Sequence, residues 1–108
     1  MGKGDHLGAF EQLVLLSVIR LDDEAYGMRI RQELEECTGR SITIGAAYST
    51  LERLEAKGFV ASRRGESTPQ RGGRAKRYFR LTASGATALN ESRHAQERLG
   101  FPVPGVTT

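Results

Sequence analysis

A helical pattern that stops at a glycine and runs directly into two short β-prone segments, joined by a basic Gly-rich stretch, restricts this chain more than any other feature. Residues 45–57, G-A-A-Y-S-T-L-E-R-L-E-A-K, place Ala47, Leu51 and Leu54 on one side of a helix that Gly58 ends. Phe59-Val60-Ala61-Ser62-Arg63 and Arg77-Tyr78-Phe79-Arg80-Leu81-Thr82 follow as strand-like runs. Between Ser62 and Arg77 lie six cations, Arg63, Arg64, Arg71, Arg74, Lys76 and Arg77, opposed only by Glu66. That segment carries +5 in a chain whose total is +3, which leaves the remainder at −2. Positive charge is therefore focused in one hairpin. Arginine and lysine on a Gly-containing arm can follow a phosphate backbone and release its counterions; a solvated surface loop is the plainer alternative.

At about 100° per residue, Ala46, Ser49, Thr50, Arg53 and Lys57 gather on a face of the third helix away from its apolar side, with Glu52 and Glu55 off that face. Small and hydroxylated side chains at the start, and cations further on, suit close approach to a major groove. Ser41 or Thr43 supplies the N-cap. Tyr48 falls near the rim of the core, with a structural role as the first reading and a phosphate contact as the second.

Two further helices precede this one. Residues 7–21 spread Leu13 to Leu16, Val18, Ile19 and Leu21 over most of a helical circumference, wider than one core requires, so the helix is either central to the fold or covered by a second copy of the chain. Residues 25–38 bring Tyr26, Ile30, Leu34 and Cys37 to one face, where Cys37 reads as a small buried hydrophobe. After the hairpin, Thr82-Ala83-Ser84-Gly85 opens a last helix through about Leu99, in which Leu89 and Leu99 are candidates to meet a partner subunit. The fold class is mainly α with a small β-hairpin, a winged helix-turn-helix.

Composition narrows the function. With 38% hydrophobic and 27% charged residues in 108, the chain is expected to form one ordinary globular domain. A single cysteine allows no internal disulfide and no thiolate cage, and no run reaches the ~18 apolar residues of a membrane span, so a bacterial cytoplasmic location without membrane association is expected. There is no Ser-His-Asp or Cys-His pattern and no phosphate-cradling Gly loop before a helix. His6 and His94 stand far apart without a neighbouring ligand, so no metal, no cofactor and no enzymatic activity are expected.

The string G-A-A-Y-S-T-L-E-R-L-E-A-K-G-F-V, followed by R-G-G-R-A-K-R-Y-F-R-L-T-A-S-G, resembles the PadR family of bacterial transcriptional regulators. The resemblance covers about residues 7–99 and includes the apolar first helix and the Ala25-Tyr26-Gly27 turn. It implies a homodimer that binds a pseudo-palindromic operator on double-stranded DNA, most often as a repressor. The implied recognition-helix residues are Gly45, Ala46, Tyr48, Ser49, Thr50 and Arg53, to which Thr43 at the helix start is added. The implied wing residues are Arg71, Gly72, Gly73, Arg74, Lys76 and Arg77, the two glycines setting the turn. Phe10, Leu13, Leu16, Leu89 and Leu99 are the expected dimer interface.

In this scheme residues 1–6 are a flexible start, 7–81 the DNA-binding domain, 82–99 the dimerisation helix and 100–108 a loose tail. Two departures from the family pattern are Ser49, where many members carry Pro, and the absence of Trp, which makes members that hold planar drugs between aromatic side chains a poor guide to any small-molecule effector here. The competing reading is a winged-helix protein-interaction module that does not read DNA, since one fold hosts many functions.

Overall fold

The computed structural model describes residues 6–65, 76–100 and 102–105. Four helices and one hairpin follow in the order α1 (Ala9–Leu21), α2 (Gly27–Thr38), α3 (Ile44–Ala56), β1 (Val60–Arg64), β2 (Arg77–Leu81) and α4 (Ala83–Leu99), with a 3₁₀ turn, Asp22–Glu24, between α1 and α2. Each boundary has a local cause. Thr43 Oγ1 accepts the Ala46 amide at 3.0 Å and so caps α3, and Thr82 Oγ1 does the same for Gly85 in α4 at 3.0 Å. Gly39, at φ +71°, ends α2, and Gly58, at φ +82°, turns the chain from α3 toward β1.

The core is built where the apolar sides of these elements converge. Val14, Leu15 and Val18 from α1, Ile30 and Leu34 from α2, Leu51 and Leu54 from α3, Phe59, Val60 and Phe79 from the hairpin, and Leu89 from α4 are all buried in one cluster. α1 is the central element, lying against α2, α3, β2 and α4. The breadth of its apolar surface is thereby largely used within the chain: Phe10, Leu13 and Leu16 are half-buried against the cluster, and Ile19 is exposed.

The antiparallel hairpin pairs Val60 with Leu81 and Arg64 with Arg77. Its alternation buries Phe79 toward the helices and turns Tyr78 to the other face. Two backbone contacts bind it to the helix-turn-helix: the Phe79 amide donates to the Ala25 carbonyl at 2.8 Å, and Tyr26 and Tyr78 form an isolated antiparallel bridge. On the other side, Gly85 sits so close to the Phe59 carbonyl that any Cβ there would overlap it, which seats the start of α4 on the turn between α3 and β1.

Two expectations need correction. Cys37 is exposed, its Sγ pointing to Glu33 Oε2 at 3.6 Å, because α2 rotates Glu33 inward instead. Buried Glu33 is held by Arg20 Nε at 2.6 Å and Arg29 at 3.2 Å, so a paired carboxylate occupies the place where a continuous apolar face was expected. Leu89, expected in the dimer interface, is 5% exposed and packed into the core of its own chain. Thin though its apolar content is, α4 commits Leu89 to the core and lies against α1.

Candidate nucleic-acid interface

The surface of α3 follows from which of its residues the core consumes. Ala47, Leu51 and Leu54 are fully buried, as their spacing predicts. Opposite them, Gly45, Ala46, Ser49, Glu52, Arg53 and Ala56 are exposed. This face is rotated from the expected one. Thr50 is only 3% exposed, which corrects its expected place among groups reaching for a base edge, and Lys57 is turned to α1, while Glu52 comes onto the open face.

Thr50, three residues from Ala47 and four from Leu54, lies on the flank of the buried side, and Glu11 meets that flank. This α1 carboxylate, 7% exposed, accepts the Lys57 ammonium at 3.0 Å on both oxygens and Arg53 Nε at 3.4 Å, where that flank of α3 lies against α1. Burial by itself raises the pKa of Glu11, but hydrogen bonds from the Gly8 amide, Lys57 and Arg53, with the Lys57 charge, outweigh it and hold the carboxyl below its ordinary value. No residue-by-residue reading singled out Glu11. Its signal was a lone carboxylate inside the otherwise apolar run 7–21, and lone carboxylates in apolar helices are kept only when paired.

Tyr48 is half-buried, and its ring lies so close over Gly27 that a Cβ at residue 27 would overlap it. Its place is the contact between α2 and α3. Thr43 is exposed, its hydroxyl engaged in the α3 cap.

The hairpin brings its own cations alongside. Arg63 and Arg64 are exposed on β1, with the Arg63 guanidinium 4.8 Å from the Tyr78 ring centre. Lys76 Nζ sits 4.0 Å from the ring centre of Tyr26, and the two tyrosine rings meet edge to face at 5.6 Å. Four side chains thus form a row, cation, ring, ring, cation, that joins the base of the arm to the start of α2. Arg77, expected among the contacting cations, turns to the opposite face of the sheet, where it pairs with Glu55 and lies 3.9 Å from Glu52. It is half-buried over the Phe79 ring, so its charge is largely answered within the chain. Arg71, Gly72, Gly73 and Arg74 lie outside the described residues.

Of the expected dimer residues, Phe10, Leu13 and Leu16 form a half-buried flank of α1, and Leu99 is 80% exposed at the end of α4. Gln96 Nε2 on α4 donates to Gln12 Oε1 on α1 at 3.2 Å, so the two helices are already joined within one chain. Among the described residues there is no group of three potential metal ligands, and no helix is long and apolar enough to cross a membrane.

A two-helix unit with a short turn, a small-residue face on the second helix and a cationic hairpin packed beside it define a winged helix-turn-helix of the DNA-binding class. Comparison with known proteins carries this to a family. Residues 15–91 match the PadR-like family of transcriptional regulators, and the chain belongs to it. It is 39% identical over 84 residues to the transcriptional regulator Rv3488 of Mycobacterium tuberculosis, an alignment spanning 78% of this chain and 74% of that protein. Among solved structures it is similar to a PadR-like transcription factor from Bacteroides fragilis, with a TM-score of 0.68, 27% identity and coverage of 83% and 82% of the two chains. A PadR family regulator from Eggerthella lenta gives a TM-score of 0.64 at 29% identity, covering 82% of this chain and 74% of that one. The family consists of transcriptional regulators, not enzymes.

Proposed function

We propose that this regulator acts as a homodimeric repressor that binds a pseudo-palindromic operator, with α3 of each copy in a major groove and the hairpin against the adjoining backbone. The observation that carries the reading is the composition of the open face of α3. Gly45, Ala46 and Ser49 project little, so the helix can approach base edges closely, and Arg53 extends from the same face with a side chain 57% exposed.

Glu52 on that face can accept from a cytosine amino group. Arg63, Arg64 and Lys76 supply sequence-independent grip, joined in this proposal by Arg71 and Arg74. The flank of Phe10, Leu13 and Leu16, together with Leu99, is the proposed surface for the second copy, and α4 is its dimerisation helix.

Selection of bound duplexes from a random pool tests this. The expected result is a two-fold symmetric motif whose half-sites lie about one helical turn, ~34–36 Å, apart. Absence of any salt-sensitive binding to random duplex would instead point to a protein partner.

A further inference from the structure

The environment of Arg53 is more specific than that of an ordinary surface arginine. Its Nε donates to Glu11 Oε2 at 3.4 Å, and its Nη2 donates to the Thr50 hydroxyl at 3.3 Å. Both anchors are nearly sealed from solvent: Thr50 is 3% exposed, and the Glu11 side chain is held on its far side by Lys57 and the Gly8 amide. The inner edge of the guanidinium is therefore taken by the protein. Nη1 has no partner among the described residues, and with the second N–H of Nη2 it forms the outer edge of a side chain that extends from the open face of α3.

Charge and geometry agree. One carboxylate faces two cations, so the cluster keeps a net +1 and Arg53 is not silenced by its partner. Lys57 is bound by both Glu11 oxygens and by the His6 carbonyl at 2.9 Å, so it is the permanent partner, and Arg53 is braced by the longer contact. A planar guanidinium fixed along one edge offers two parallel N–H groups on the other. That fork matches the O6 and N7 acceptors of guanine in a major groove, and fixing it beforehand removes the rotamer freedom that a free arginine would lose on contact.

We infer that Glu11, acting through Arg53, is a positioning residue for sequence readout, bracing the arginine for bidentate contact with a guanine edge. This rests on the reading of α3 as the base-reading helix. Glu11 itself touches no DNA, so a role in discrimination separates it from a residue that merely supports the fold.

The test uses the full chain and duplexes selected from a random pool by the wild type. Arg53→Gln is expected to abolish preference for one G·C pair in each half-site. Glu11→Gln is expected to weaken preference at that same pair by about tenfold, while affinity for random duplex at low salt stays within about twofold of wild type. Adding Glu11→Gln to Arg53→Gln should change that preference no further. Glu11→Asp keeps a carboxylate for Lys57 but draws it back from Arg53 by one methylene, and should reproduce the loss; it carries the test if the glutamine variant folds poorly. Equal weakening on selected and random duplex, an intact preference in both Glu11 variants, or independent effects in the double variant would each overturn the inference. A wild-type chain that selects no motif would overturn it together with the operator reading, whereas a motif unaffected by Glu11 would leave that reading standing.

Discussion

Two cationic regions of this molecule look alike in sequence and are held by opposite means. At the far end of α3, Arg53 and Lys57 are gathered by a single buried carboxylate, Glu11, brought from a helix more than 40 positions away. At the base of the arm, Arg63 and Lys76 lie on the rings of Tyr78 and Tyr26, and Arg77 pairs with half-exposed Glu55. A buried carboxylate is screened less and fixes the direction of its partners, whereas cations on half-buried rings keep their charge and tolerate movement. The comparison shows why counting arginines and lysines locates a basic surface but does not say which of its cations are held by buried partners and which lie on rings.

The sharpest way to break this contrast is Glu11→Ala, which strips the carboxylate from Lys57, itself only 21% exposed. It is expected to cost about 3 kcal/mol in urea unfolding. Tyr78→Leu, which keeps apolar bulk but removes the ring pair and the Arg63 contact, should cost about 1 kcal/mol by the same measurement. A larger loss for Tyr78 than for Glu11 would invert the assignment of rigid and tolerant regions. Arg77→Gln should change stability by less than about 1 kcal/mol, since its partners are open to solvent and salt.

Lys76→Ala should leave sequence preference intact and lower the salt slope of random-duplex binding by about 1 per copy, read by fluorescence anisotropy in a salt series. The smallest expected effect is on acid stability. The folded-state pKa of Glu11 lies below the ordinary 4.5, so its contribution is complete above that value and is lost as pH falls through the folded pKa. Chemical unfolding followed downward from pH 5 should show wild type losing stability that Glu11→Gln does not, and parallel curves would contradict the clamp.

Element identities were legible because they depend on near neighbours. A Ser or Thr cap before α3, which proves to be Thr43, the opening of α4 at Thr82 and the stop at Gly58 are local chemistry. The small face of α3 was legible in Gly45, Ala46 and Ser49 but misaligned at Thr50 and Lys57. On a helical wheel Thr50 stands three residues from Ala47 and four from Leu54, so it flanks the buried side, and the chosen face was set too near that side. Cys37 was misplaced because Glu33, paired with Arg20 and Arg29, takes the buried position on that flank of α2.

By itself, then, the order of residues determined a helical domain with a basic arm, because periodicity, caps and the crowding of charge between Ser62 and Arg77 are properties of contiguous chain. Only the tertiary structure decided that Leu89 belongs to its own core, that Arg77 is answered from within and that Glu11 braces the helix beside it. Those outcomes depend on long-range juxtaposition, where burial makes an unpaired charge costly and so selects partners that sequence spacing cannot reveal.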